Sequence, residues 1–425
     1  MVGSTNLLTM GETAKLLGVT KARVSQLTAA GRLEVAMVGG RKMVVAASVD
    51  RYVRDSQAPA TKKARYTLMA ADYEVATVAY DGASETPFSV DKVLDVSRMP
   101  FSTATSGGNA RPREFNAWWE HRSVPHTRPG LLLKMPELGV GESWQIPMRS
   151  LGLSLSDYYW LRPEGRADLT WQALNYFEND FEGSGEGSWD RWDQWLANLG
   201  LDSPDNTSEG KLPKRWIVRN GVRMLVKGCR SDDQRPWNEV VATALHRRLL
   251  DPCDYVAYEP MAVGGMPACA CADFLRAREE YIPAAHLKDC LGRTRGSSTY
   301  ERLNRYAGML GTSAVCVRER IDKMIVCDSI LANSDRHWRN FGFVRDVDTL
   351  AVRPAPIFDS GNSLWYEKSA AEVAAGDRSC AARPYGPEPE RQLALVGSIS
   401  WFDPAAVPAP RPGRPTSPPD APRAP

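Results

Sequence analysis

The sequence predicts an α+β chain, with a small head of two helices and a hairpin followed by a larger, bilobal body. Three observations lead to this. The first fifty-odd residues read as helix, turn, helix, hairpin. A tight hairpin ending in Lys227 is followed by a helix that carries Glu239 near its first turn. A long helix with an apolar stripe delivers the stretch LANSDRHWRNFGF, Leu331 to Phe343, and a further acid returns in APIFDSGNSL, Ala355 to Leu364. A chain of 425 residues has room for two to four domains.

Composition narrows the function classes. A formal net charge of +2 is close to neutral, so the whole chain is not a generic polyanion binder and any basic surface is local. The eight cysteines all fall in the second half and form no CxxC pair, which fits buried thiols in a reducing compartment. The start has no basic segment leading into an apolar run, so no signal peptide is expected. No stretch approaches the ~20 apolar residues of a membrane helix. The expected location is the cytoplasm, with no membrane partner.

In the head, Thr9 and Glu12 form a capping box ahead of a first helix whose apolar face is Ala14, Leu16 and Leu17. Thr20 opens a second helix, with Val24 and Leu27 inward and Lys21, Arg23, Ser25 and Gln26 outward. Gly39-Gly40 turns a hairpin that carries Arg41 and Lys42. Ser48 is expected to cap another helix. This is the order of a winged helix-turn-helix, and the segment resembles excisionase or MerR-type DNA-binding domains. Eight basic residues against four acidic ones in the first 56 agree with a DNA partner. A small protein-docking module is the competing reading.

The middle region predicts strands over YTLMAADYEVATVAYD and a helix carrying Trp118 and Trp119, stopped before Pro125. A further amphipathic helix is expected over WDRWDQWLANLG. The many tryptophans could form a nucleic-acid stacking platform. Neighbouring Asp157, Glu164, Asp168, Glu178, Asp180 and Glu182 would repel phosphates and favour core packing instead.

The residues suited to chemistry lie between Ser208 and Asp359. Ser208 to Lys214 is a short polar loop containing Gly210. Asn220-Gly221 joins two strands, and Lys227 ends the second. A strand lysine is a point charge for phosphates, and a helix glutamate can orient it; an ordinary surface lysine is the plainer alternative. Ile321, Met324, Ile325, Asp328 and Leu331 line the inner face of the next long helix. Asp335 and Asn340 then lie five residues apart, and after a second strand over Leu350 to Arg353 the stretch Pro356 to Asp359 brings a carboxylate back beside Asn340. One aspartate can take the proton of an attacking hydroxyl, while an asparagine and a second aspartate suit Mg2+.

The stretch ANSDRHWRNFGF, with LVKG, EEYIPA and IFDSGNSLW, resembles the HipA-like serine/threonine kinases, whose catalytic loop reads N-[ST]-D-x-H-x-x-N. The resemblance runs from about Gly210 to Trp401, and WWEHRSVP and LGLSLSDYYWL extend it upstream. It implies a protein-kinase-like body that uses ATP and Mg2+ to phosphorylate a protein serine or threonine. Asp335 would be catalytic and Asn340 and Asp359 would bind the metal. Lys227, Glu239, Ser208, Gly210, Cys271 and His337 would hold the nucleotide, with Cys269 to Phe274 linking the lobes. Thr207 and Ser208 are local candidates for autophosphorylation. Relatives act as toxins, so an antitoxin is a possible partner, although here the DNA-binding module is fused in front.

The expected segments are therefore a DNA-binding head over 1–56, a linker over 57–65, a HipA-type region over 66–199, an N-lobe over 200–272, a C-lobe over 273–403 and a proline-rich disordered tail over 404–425. The tail has almost no large apolar side chains and cannot add a packed helix, so the C-lobe is expected to be short. Two other readings stay open. One is a transcription regulator whose kinase-like body only senses a ligand. The other is a small-molecule kinase of the aminoglycoside type, disfavoured by Asn333 where those enzymes carry histidine.

Overall fold

The structure is a computed structural model. It describes residues 7–17, 20–29, 33–49, 63–125, 128, 131, 135–136, 139–181, 203–207, 212–228, 233–291 and 297–407. The chain divides into two compact units, Met1–Ala64 and Arg65–Pro425.

The first unit holds β1 (Leu7–Thr9), α1 (Met10–Leu17), α2 (Lys21–Ala29), β2 (Val35–Val38) and β3 (Arg41–Val45), with sheet order β1-β3-β2. The capping box is present: Thr9 N donates to Glu12 Oε2 at 2.8 Å, and Glu12 N to Thr9 Oγ1 at 3.2 Å. Gly39 and Gly40 take φ of +56° and +79°, as a type I′ hairpin turn requires. Val24, Leu27, Leu33 and Val44 form the core with Ala14. Three details differ from expectation. Leu16 is 64% exposed, and Thr13 is buried in its place, its hydroxyl donating to Thr9 O. β1 closes the sheet although it is only three residues long. Ser48 lies inside a short helical turn, where its hydroxyl donates to Val45 O and accepts from Glu34 N.

The second unit begins with an antiparallel sheet, order β6-β5-β4-β7, formed by β4 (Ala64–Ala70), β5 (Tyr73–Tyr80), β6 (Phe88–Val93) and β7 (Tyr159–Pro163). Helix α3 (Pro112–His121) packs on it. Trp118, Trp119, Trp160 and Trp171 are all buried in this core. The indoles of Trp119 and Trp160 donate to Trp144 O and Ala71 O, which satisfies their one polar group. Core packing therefore accounts for these tryptophans. The helix expected over WDRWDQWLANLG lies outside the described residues.

A second sheet has order β10-β11-β9-β8 and contains β8 (Lys214–Arg219), β9 (Val222–Gly228), β10 (Tyr258–Val263) and β11 (Met266–Ala272). Helix α4 (Arg235–Leu249) lies against β10 and β11. A third sheet, β12 (Glu279–Pro283), β13 (Gly342–Asp346) and β14 (Val352–Pro354), packs with α5 (Ala284–Cys290), α6 (Thr299–Met309) and α7 (Ala314–Leu331). Gly342 is required here, because a Cβ would lie 2.1 Å from Ile282 O on the paired strand.

Helix α7 buries Ile321, Met324, Ile325 and Leu331 as its periodicity predicts, and also Asp322, Lys323 and Asp328. Each buried charge has a partner: Lys323 Nζ donates to Asp254 at 2.7 Å, and Asp322 accepts from Tyr300 OH at 2.6 Å. Asp322 also accepts from Gly397 N, while Val396, Trp401 and Phe402 pack on the same core. The short turn Pro404–Ala406, capped by Asp403, moves the start of the expected tail; residues from 408 lie outside the described ones.

Candidate active site

Two long-range contacts build the centre of the site. Lys227, at the end of β9, donates from Nζ to Glu239 Oε1 at 2.7 Å and to Asp359 Oδ1 at 2.5 Å. Its ammonium also lies 4.8 Å from the centre of the Tyr258 ring. Lys227 and Glu239 are buried, whereas the Asp359 carboxylate is 37% exposed and open to a ligand. Burial disfavours the lysine's charge, but Asp359 and Glu239 outweigh it and raise its pKa well above the usual range. Burial likewise opposes the Asp359 charge, and Lys227 and then Lys214 overcome it, so this carboxyl stays ionised. Burial wins at Glu239, whose pKa is raised.

Helix α4 also clamps the backbone beyond Asp359. Glu239 Oε2 accepts from Ser360 N at 2.9 Å, and Asn238 Nδ2 donates to Gly361 O and Ser363 O at 2.9 and 2.7 Å. Gly361 leaves room for this approach, since a Cβ would lie 3.1 Å from Arg235 O. Asp359 itself takes φ of +58°, a conformation held by these neighbours on both sides.

The loop after α7 supplies the other two residues. Ala332, at φ +52°, ends the helix. Asn333 donates to Asp328 Oδ1 at 2.8 Å and accepts from Asp335 N at 3.1 Å. Asn340 Nδ2 donates to Asp335 O at 3.1 Å, closing the five-residue loop. The Asp335 carboxylate accepts from Asn362 Nδ2 at 2.7 Å and from Arg383 Nη1 at 3.2 Å. Asp335 is thus tied to the segment that carries Asp359 three residues earlier, and Ser334 N adds a bond to Asn362 O.

Arg336 joins these parts from beneath and is fully buried. Its guanidinium makes two bonds to Asp328, at 2.8 and 3.0 Å. It also donates to Asn340 O at 2.7 Å, to Ser360 Oγ at 3.0 Å and to Phe358 O. One nitrogen, Nη1, serves the carbonyls of both Asn340 and Phe358, so the loop residue and the residue before Asp359 share a single donor. No motif spacing pointed to Arg336, Asn238, Asn362 or Arg383. The one available signal was Arg336 lying between two singled-out residues.

The remaining expected residues are placed less uniformly. Ser208 and Gly210 lie outside the described residues. Thr207 is buried, its hydroxyl held by Leu153 O and Pro204 O, so it is not presented for phosphorylation. Cys271 is not in a linker: it sits inside β11, paired with Tyr258 and Leu225, and burial pushes its thiol up to about 12. The chain leaves the sheet only after Ala272, and Asp273 to Arg278 connect β11 to β12. The His337 ring accepts from Arg339 N at 3.2 Å, a bond within its own loop. In the head, Lys21, Ser25, Arg41 and Lys42 are exposed, while the side chains of Arg23 and Gln26 lie outside the described ones.

The donor set fits a small hard cation. Among the described residues no three His, Cys, Asp or Glu side chains cluster to hold a metal by themselves. Magnesium needs only one or two protein oxygens beside phosphate, and the open Asp359 carboxylate with the side-chain oxygen of Asn340 can supply them. No described helix is long and apolar enough to cross a membrane.

No protein-family model and no curated protein matches the chain. Among solved structures, the Shewanella oneidensis MR-1 toxin–antitoxin complex of HipA, HipB and operator DNA is similar, with a TM-score of 0.47 and 16% identity over 69% of this chain and 75% of that one. The Helicobacter pylori proinflammatory kinase CtkA is similar with a TM-score of 0.33 and 21% identity over 38% of this chain. The match spans 60% of the Helicobacter protein's length.

Proposed function

We propose that the body is an ATP- and Mg2+-dependent kinase that phosphorylates protein serine or threonine, and that the head binds DNA. The observation that carries the first part is the Lys227 ammonium seated between Glu239 and Asp359 at 2.7 and 2.5 Å, with Asp335 tied to the same returning segment. In this reading Lys227 holds phosphate oxygens of the nucleotide, and Glu239 keeps the lysine in place. Asn340 and Asp359 would hold the magnesium ion, which neutralises developing phosphoryl charge when bound. Asp335 orients the acceptor hydroxyl and takes its proton. A bond forms from that oxygen to the terminal phosphorus as the bridging bond to the departing nucleoside diphosphate breaks. Arg336 is a positioning residue, because it touches the loop and the Phe358–Ser360 segment rather than reacting atoms.

The test is transfer of labelled phosphate from ATP to proteins of a cell lysate. Wild type should label protein, and Asp335→Asn should lower the rate by about 10²–10⁴-fold. Equal labelling by both would remove Asp335 from the mechanism. Label confined to small molecules would identify the wrong acceptor class.

The head's exposed Lys21, Arg41 and Lys42 and its basic excess support contacts to a DNA backbone. Binding that is insensitive to salt would contradict this. A second reading, a regulator with a weak or inactive body, is favoured by one observation: both Asp335 oxygens already accept bonds, from Asn362 and Arg383. It predicts DNA binding that responds to ATP without any phosphotransfer.

A further inference from the structure

Both side chains that bond the Asp335 carboxylate come from one stretch of chain, Asn362 to Pro387, which leaves the Asp359 segment and returns across the loop after α7. Asn362 Nδ2 meets Oδ2 at 2.7 Å, and Arg383 Nη1 meets Oδ1 at 3.2 Å. The two contacts are unlike. Asn362 is a neutral donor, and its backbone oxygen accepts from Ser334 N at 3.0 Å, so it belongs to the framework of the loop. Arg383 is charged and its side chain is 55% exposed. Among the described residues its one ion pair is with Asp335, itself 34% exposed.

The turn that carries Arg383 is anchored on both sides. Before it, the Cys380 thiol donates to Ala332 O at 3.2 Å, at the end of α7. After it, the Tyr385 ring packs edge-on against Trp338 and Tyr300, with centroids 5.4 and 5.6 Å apart. Tyr385 N donates to Gln392 Oε1 at 3.0 Å, and Ala382 N closes the turn on Pro387 O at 2.8 Å. Trp338 lies in the same loop as Asp335, three residues on. The backbone around Arg383 is therefore fixed to that loop while its guanidinium stays at the surface. A partly exposed ion pair is weak enough to exchange for another anion.

We propose that Arg383 is a specificity-determining residue on the acceptor side, selecting a protein serine or threonine flanked by an acidic side chain. The inference rests on the kinase reading above. The guanidinium covers one of the two oxygens through which Asp335 can orient the acceptor hydroxyl. A hydroxyl that enters at that oxygen must displace Arg383. A carboxylate beside the hydroxyl gives the released guanidinium an equivalent charged partner, whereas an amide lacks the charge and a lysine would bring two cations together. Lys368 does not compete for the acid, because it is paired with Asp377 at 2.5 Å and donates to Ser379 Oγ at 2.7 Å.

The test compares two serine peptides that differ only in glutamate or glutamine beside the serine, using the full chain with ATP and Mg2+. Wild type should phosphorylate the glutamate peptide about three- to fivefold better in kcat/KM, the scale of one partly exposed ion pair. Arg383→Ala should raise the glutamine peptide to the level of the glutamate peptide, and Arg383→Lys should keep a preference. No preference in wild type, or one that survives in Arg383→Ala, would overturn the assignment. Peptide binding measured without ATP gives a second readout that needs no transfer. It should show a similar preference in wild type and none in Arg383→Ala. Selective binding without labelling would retain the role of Arg383 and remove the kinase reading. Equal labelling of both peptides by wild type would do the reverse, and neither binding nor labelling would remove both.

Discussion

Two ion networks lie on either side of the segment Phe358–Ser360, and they differ in one respect. Around Arg336 everything is closed: the guanidinium is fully buried and every donor nitrogen has a partner in the protein. Around Lys227 one member stays open, because the Asp359 side chain is partly exposed while those of Lys227 and Glu239 are buried. A closed network fixes geometry, and its charges have no reason to exchange partners. An open one keeps a charged oxygen available for a ligand at the cost of holding a buried lysine between two acids. The first reads as scaffold and the second as site.

Breaking the closed network should have the largest effect. Arg336→Ala strands Asp328 in the interior and leaves the Asn340 and Phe358 carbonyls without their shared donor. A loss of at least ~3–5 kcal/mol is expected in chemical denaturation. A variant as stable as wild type would show that Arg336 does not anchor the loop.

The open network should tolerate loss better. Lys227→Met leaves Glu239 beside Asp359, but burial already raises the Glu239 pKa, so the side chain can take up a proton. The expected cost is about 1–3 kcal/mol, with phosphotransfer abolished. If Lys227→Met proved less stable than Arg336→Ala, the contrast between the two networks would be reversed.

A smaller effect is expected at the rim. Arg383 meets Asp335 through a partly exposed pair. Arg383→Ala should change stability by under ~1 kcal/mol. It should also raise the transfer rate by freeing one Asp335 oxygen. A fall in rate with unchanged stability would instead make Arg383 part of the machinery.

A last test concerns pH and two buried acids outside both networks. Burial pushes Glu280 up to about 7 against the pull of Arg345, and Asp205 up to about 6 against its bond from Trp216 N. The ordinary values are 4.5 and 3.8, so between roughly pH 4 and 7 the folded state holds protons that the unfolded chain releases. Their contribution is complete below that window and is lost as pH rises through it. Glu280→Gln should flatten the pH dependence of the melting temperature there. An unchanged slope would exclude Glu280 as its source.

Much of the local architecture was legible in the sequence. The capping box at Thr9, the hairpin turns at Gly39-Gly40 and Asn220-Gly221, and the inner stripe of α7 all depend on residues a few positions apart. Their physics is local: an orphan N–H needs an acceptor, a positive φ needs glycine or asparagine, and an apolar face repeats every turn. The same reasoning placed Lys227, Glu239, Asp335, Asn340 and Asp359 in sequence order. It misplaced Leu16 and Cys271, because which face of a short helix is covered, and where a strand ends, depends on neighbours supplied by distant segments.

What the amino-acid order determined alone is therefore the set of elements and the positions of the chemically distinctive side chains on them. Only the tertiary structure decided that Lys227 meets Asp359 across 132 residues, that Asn362 and Arg383 hold Asp335, and that Arg336 lies beneath them all. The reason is physical: a buried charge takes whatever partner packing brings within about 3 Å. Packing is settled by the whole chain rather than by any spacing within it.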